Sequence, residues 1–199
     1  MRGTRRSPGH PVVTRNEEQR GMRGFNETER GRPVTGKTVM SSRVVMAQQM
    51  NPQDANPAGN VHGGVIMKLI DTAAGAVAAR HARTNVVTAS IDRLDFHNPV
   101  FVGDMVTLKA GLNMVGQSSM EVGVRVESEN LLSGEIRHTA SAYLTFVALD
   151  GTGRPVPVPP LILEKDVEVR RNREAQARRA ARLHEKRMER EAQHGEEAP

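Results

Sequence analysis

An aspartate set in an apolar stretch is the first residue in this chain that suggests chemistry. Asp71 follows Leu69 and Ile70 and precedes Ala73, Ala74 and Gly75. Val65, Ile66, Leu69, Ile70, Ala73, Val77 and Ala78 recur at helical spacing, which predicts a helix opening near His62 to Gly64 and running to about His81. Asp71 then falls about two turns inside it, too deep to cap the helix or to gain from its dipole. Aspartate is also a poor helix former, and burying its charge without a partner is costly. It is therefore either an exposed surface residue or a carboxylate placed to take a proton or attack a carbonyl carbon.

The start of the same helix offers a complementary device. His62-Gly63-Gly64 stands where backbone N–H groups lack intrahelical partners, and glycines let a ligand approach them closely. Such donors suit a developing oxyanion; the plain alternative is a glycine-rich turn. Asn60, just before it, can donate and accept hydrogen bonds without titrating, or serve only as a turn residue beside Gly59. Ser118 and Ser119, after Gly116, are either an ordinary hairpin turn or a place that offers hydroxyls and N–H groups to a phosphate. The chain has no cysteine, so thiolate metal sites and cysteine nucleophiles are excluded, and no His/Asp/Glu cluster has metal-ligand spacing.

Several elements must position these residues. Residues 1–36 are rich in Arg, Gly, Pro, Glu and Asn without apolar periodicity and are expected to be disordered. A strand is expected between Thr38 and Met50, drawing in Val39, Val44, Val45 and Met46. The loop Asn56-Pro57-Ala58-Gly59-Asn60 then leads to the helix. Four strands follow, over Val86 to Phe96, Asp104 to Val115, Ser119 to Asn130, and around Ala140 to Ala148, the middle two alternating cleanly. The order implies an α+β domain over residues 37–160, an antiparallel sheet of about five strands wrapped around one long central helix. Such a sheet covers the helix on one side, so a second copy is expected to cover the rest. Residues 161–199, rich in Arg, Glu and Ala, read as a charged C-terminal helix and tail with a solvated surface.

The +5 formal charge and pI near 10.2 come mainly from arginines crowded at both ends of the 199 residues. With one Tyr, four Phe and no Trp there is little with which to stack bases, so nucleic acid is not the expected partner. No apolar run approaches the roughly 20 residues that cross a bilayer, and no secretory pattern opens the chain, so the expected location is cytoplasmic.

In order and spacing, Asn60-Val61-His62-Gly63-Gly64, Leu69-Ile70-Asp71, Ala79-Arg80-His81, Val87-Thr88-Ala89-Ser90, Asp95-Phe96, Pro99 to Asp104, Gly116 to Val122 and Phe146-Val147-Ala148 resemble the acyl-CoA hydrolase family of hotdog thioesterases, of the cytosolic long-chain type. The resemblance spans about Thr38 to Pro160, and the Arg/Glu-rich segment beyond it resembles the family's C-terminal helix. It implies hydrolysis of a fatty acyl-CoA, with the Asn60 of one hotdog unit facing the Asp71 of its partner and the Gly64 N–H as oxyanion donor. His62, Gly63, Ala89, Ser90, Ile91, Ser118, Ser119 and Met120 would contact substrate, and Arg179 is the candidate contact for a CoA phosphate. It implies a homo-oligomer, at least a dimer, with a hexamer left open, and no cofactor apart from the CoA carried by the substrate. Two rival readings are a hotdog hydratase, for which Asp95-Phe96-His97-Asn98-Pro99 departs from the expected motif, and a non-catalytic acyl-CoA-binding protein. The presence of both Asn60 and Asp71 argues against the second.

Overall fold

The computed structural model describes residues 35–196, and the expected disorder of residues 1–34 lies outside them. The described chain runs β1 (Lys37–Thr38), α1 (Val39–Ser42), β2 (Val44–Gln49), α2 (Gly63–Ala82), β3 (Asn85–Phe96), β4 (Met105–Val115), β5 (Ser119–Glu129), β6 (Ile136–Leu149), β7 (Leu161–Ile162) and α3 (Asp166–Glu196). Strands β2 to β6 form one sheet in the order β2-β4-β5-β6-β3, with every neighbouring pair antiparallel. Helix α2 packs against all five strands, which is the hotdog arrangement.

Alternation along the strands builds the core. Val106, Leu108, Ala110 and Leu112 of β4, Met120, Val122, Val124 and Val126 of β5, and Ala140, Ala142, Leu144, Phe146 and Ala148 of β6 are buried on one face. Ile66, Leu69, Ile70, Ala73, Ala74, Val77 and Ala78 of α2 meet them. Small residues let the helix lie close in the curve of the sheet; a Cβ at Gly75 would come 3.6 Å from the Phe146 ring. Arg83 ends α2 in the left-handed conformation, with φ of 59° and its N–H donating to the Ala79 carbonyl at 2.8 Å. Glycine is the usual residue there, so the sequence carries no obvious stop signal.

Two expectations need correction. Val39 is not in a strand: Val39 to Ser42 form a single helical turn, with the Ser41 hydroxyl donating to the Thr38 carbonyl at 2.7 Å, before β2 begins at Val44. The C-terminal helix is not solvated all round. Ala175 is fully buried, the Asn172 amide donates to the Asn113 carbonyl at 2.9 Å, and two arginines reach carboxylates of the sheet. Those contacts fall on outward-facing residues of β4, β5, β6 and β3, so α3 lies on the face of the sheet opposite α2. The reason is the interruption of charge at Asn172 and Ala175, which leaves a narrow stripe able to dock. Leu161 and Ile162 also pair in parallel with Lys37 and Thr38, tying the chain before α3 to the first strand.

Candidate active site

Asp71 lies on the face of α2 turned away from the sheet and is exposed in the single chain, as are Met67, Lys68 and Thr72 beside it. The partner that its position demands is Thr88 on the edge strand β3, whose hydroxyl donates to the Asp71 carboxylate at 2.7 Å. One carboxylate oxygen is thereby fixed, while the other accepts no hydrogen bond among the described residues.

The segment before α2 is a pinned loop. Asn56 N–H donates to the Asn60 carbonyl at 2.7 Å and Gly59 N–H to the Asn56 carbonyl at 3.0 Å, with Gly59 at φ of 86° where a side chain would be strained. The Asn56 side-chain oxygen accepts the Ala58 N–H at 2.9 Å. Asn60 bridges to Phe101, and Val61 N–H donates to Val100 at 2.9 Å, anchoring the loop to the segment between β3 and β4. Asn60 and Gly63 share a pocket of about 240 Å³ with Ile66, Phe96, His97 and Thr139. Asp71 is not part of it: eight residues of helix beyond Gly63 place it about 12 Å further along the axis.

His62 caps α2, its Nδ1 accepting the Gly64 N–H at 2.9 Å. The donor expected to meet an oxyanion is thus held by a neighbouring imidazole in the free chain. His62 itself is exposed.

The residues expected to contact CoA are distributed over both faces of the sheet. Ala89 is the extra residue in a bulge of β3, since the pairing with β6 passes from Thr88↔Phe146 to Ser90↔Thr145. Ser90 turns outward and donates to Asp92 at 2.7 Å, while Ile91 is 44% exposed along the edge. Ser118 and Ser119 form the β4–β5 turn, and Met120 does not join them at the surface: its side chain is fully buried in the core. Arg179 does reach that turn. A Cβ added at Gly116 would stand 3.4 Å from its Nη1 and 2.9 Å from the Ser119 hydroxyl.

The neighbouring arginines are engaged differently. Arg178 donates to both carboxylate oxygens of the buried Glu121, at 2.6 and 3.2 Å, and stacks over the Tyr143 ring at 3.8 Å. Arg182 pairs with Asp92, whose carboxylate also accepts from Thr145 at 3.0 Å. Burial alone would raise the Asp92 carboxyl, but the bonds from Arg182, Ser90 and Thr145 outweigh it and hold the group below its ordinary value. Among the described residues no group of three His, Asp or Glu side chains is placed to hold a metal, and no helix is long and apolar enough to cross a membrane.

Comparison with known proteins places this geometry. The family described as the thioesterase superfamily matches residues 58–134. An uncharacterized acyl-CoA thioester hydrolase of Bacillus subtilis is 42% identical over 146 residues, 73% of this chain and 85% of that protein. The human cytosolic acyl coenzyme A thioester hydrolase is 40% identical over 143 residues, 71% of this chain but only 38% of its own length. A solved apo-hexameric acyl-CoA thioesterase has a TM-score of 0.74 and 39% identity, covering 76% of this chain and 97% of its own. An acyl-CoA hydrolase of Staphylococcus aureus, solved with butyryl coenzyme A, coenzyme A and coenzyme A disulfide, has a TM-score of 0.72 and 35% identity, covering 78% of this chain and 95% of its own.

That Staphylococcus protein has also been solved with alanine replacing an aspartate, an asparagine fifteen residues before it, and a threonine seventeen residues after it. Asn56, Asp71 and Thr88 have the same spacing here. Neither Asn56 nor Thr88 stands out in the sequence alone. Asn56 sits in the same turn as Asn60, and Thr88 is one hydroxyl in a strand; only its bond to Asp71 distinguishes it.

Proposed function

Since the chain belongs to the hotdog acyl-CoA thioester hydrolases, enzymes that cleave acyl-CoA to a carboxylic acid and CoA, we propose that Asp71 is the carboxylate that drives the reaction. The Thr88 bond to Asp71 carries the assignment. It leaves one carboxylate oxygen accessible on an open helix face, next to a sheet edge that has no partner strand among the described residues. In the general-base route Asp71 takes a proton from water, the water oxygen attacks the thioester carbonyl carbon, the C–S bond breaks, and the proton passes to the departing thiolate. In the alternative route Asp71 attacks directly and water opens the resulting anhydride. Either way the carbonyl oxygen gains charge, and the Gly64 N–H is the donor suited to meet it once His62 is displaced.

The second polar group comes from the Asn56–Asn60 loop of another copy. Within one chain Asp71 and the loop lie at different stations along α2, whereas a two-fold partner laid against the open face brings them together. Both surfaces needed are available: the unpaired edge of β3, with Val87 and Ile91 42% and 44% exposed, and the apolar Met67 beside Asp71. The matching spacing favours Asn56 over Asn60 as the catalytic amide, with Asn60 shaping the loop and lining the pocket. The substrate's phosphates are assigned to Arg179 with the Gly116–Ser119 turn, and no cofactor beyond the substrate is needed. A dimer is the smallest complete unit, and the hexameric relative makes a trimer of such dimers the favoured assembly. The cytosolic name of the human relative supports a cytoplasmic location.

The test is a free-thiol release assay on Asp71→Ala, Asn56→Ala and Asn60→Ala. Asp71→Ala and Asn56→Ala should each lose about 100- to 10,000-fold in turnover while remaining folded, and Asn60→Ala should lose less than Asn56→Ala. Mixing the first two after verified subunit exchange should restore partial activity. Near-normal turnover in Asp71→Ala would sink the catalytic assignment, and absent recovery the shared site.

A further inference from the structure

The strand that orients Asp71 is itself held by the C-terminal helix. In a regular strand residues four apart point to the same face. Thr88 and Asp92 are four apart, yet Thr88 reaches α2 on the inner face and Asp92 reaches α3 on the outer face. The bulge at Ala89 makes the change of phase, and a second bulge lies between Ile91 and Arg93, where Asp92 has no partner on β6. Asp92 is thus an extra residue in an edge strand, and an edge strand has nothing on its free side to hold an irregularity in place.

What holds it is a cluster of side chains. Asp92 accepts from Ser90 at 2.7 Å, from Thr145 at 3.0 Å and from Arg182, whose guanidinium also donates to Thr145 at 2.7 Å. The Asp92 and Arg182 side chains are 8% and 16% exposed, so the pair is well shielded from solvent. A slip of one residue would turn Thr88 away from Asp71 and present a different side chain to the substrate edge.

We propose that Arg182 is a positioning residue for hydrolysis: by pinning the bulged Asp92 from the opposite side of the sheet, it fixes the phase of β3 that aims Thr88 at Asp71. The proposal rests on Asp71 being the catalytic carboxylate. It gives α3 a part in the chemical step separate from any contact with CoA, with the coupling carried through the five residues from Thr88 to Asp92 of one strand.

The experiment is a double-mutant cycle on kcat and KM for an acyl-CoA, with Asp71→Ala measured alongside. Arg182→Gln and Thr88→Ala should each lower kcat about 10- to 100-fold, the scale of a misplaced reacting group, with KM changed by less than about twofold. Arg182→Lys should recover part of the loss. The double variant should fall no further than the weaker of the two singles, because both act on the same carboxylate. Losses that multiply, or an effect of Arg182→Gln on KM alone, overturn the positioning role. If Arg182→Gln does not fold, Asp92→Asn takes its place in the cycle, since it keeps the side-chain volume and removes the charge that Arg182 answers. An active Asp71→Ala overturns the catalytic assignment and this role together; an inactive Asp71→Ala with multiplicative losses overturns this role alone.

Discussion

The two long helices lie on opposite faces of one sheet and are held by different forces. Helix α2 buries Ile66, Leu69, Ile70, Ala73, Ala74, Val77 and Ala78 against the strands. Helix α3 buries Ala175 and is otherwise fastened by Asn172 on the Asn113 carbonyl, Arg178 on Glu121 and Arg182 on Asp92, with most of its remaining side chains in solvent. Apolar packing is non-directional and tolerates no void, whereas each arginine pair fixes a point and an orientation. The fold therefore rests on one face of the sheet and the alignment of its edge strand on the other.

Substitutions should separate the two modes. Ile70→Ala, which empties a fully packed site under α2, is expected to cost about 2–5 kcal/mol in chemical denaturation, with no single compensating change to repair it. Arg178→Met should cost less, about 1–3 kcal/mol, because its own side chain is partly exposed and Glu121, though left buried without a counter-charge, keeps the bond donated by the Asn113 amide at 3.0 Å. Adding Glu121→Leu should return part of that loss, since an apolar pair needs no partner charge, although the buried Asn113 amide then loses its acceptor. A double variant no more stable than Arg178→Met would show that α3 depends on the ion pair itself.

Acid should also act on the two faces in different windows. On the α2 side, burial pushes the His81 imidazole below its ordinary value; its Nε2 bond to the Pro159 carbonyl opposes this, and nearby Lys37 adds to it. The unfolded chain takes up a proton that folded His81 refuses, so stability should decline as pH falls below about 6.5. Asp92 is depressed as a carboxylate, so its contribution is complete above about pH 3.9 and drains away as pH falls through its folded value. Melting temperature from pH 7 to 3 should decline in two stages. A His81→Asn variant should shrink the upper one, leaving the part due to His138, which burial also holds below its ordinary value, and an unchanged upper stage in that variant would assign it elsewhere.

The smallest effect is expected at Arg179, which lies over the Gly116–Ser119 turn and, among the described residues, makes no ion pair. Arg179→Gln should raise KM a few-fold for acyl-CoA, more at low salt, and leave kcat and stability alone. An equal rise for an acyl-pantetheine substrate, which lacks nucleotide phosphates, would remove the phosphate contact.

The same contrast explains what was legible in the sequence. The helix around Leu69 and Ile70 and the alternating strands β4 and β5 follow from local periodicity, because burial on one face is written every two or every three to four residues. The hotdog fold and the hydrolase family follow from motifs in order along the chain. The docking of α3 was not legible: Arg178 meets a carboxylate fifty-seven residues away and Arg182 one ninety residues away, and neither pairing leaves a periodic trace. Asp71 was visible because a charge interrupts an apolar helix. Its partner Thr88 was not, since a bulge in β3 decides which face that threonine takes, and bulges depend on the neighbouring strand. Met120 shows the converse, where a residue in a recognisable motif is spent on the core.

The irregular outline of β3 bears on which chains can add to it. A long, regular, apolar edge is an open template for any extended segment, the route by which sheet proteins form disordered precipitates or fibres. Here Ala89 and Asp92 interrupt the row of backbone donors and acceptors, and Arg93 adds a charge close by. An unrelated strand laid along this edge would fall out of register within a few residues, while a second copy brings the same interruptions related by two-fold symmetry. The edge thus discriminates among comers, disfavouring a regular unrelated strand over one whose own interruptions match.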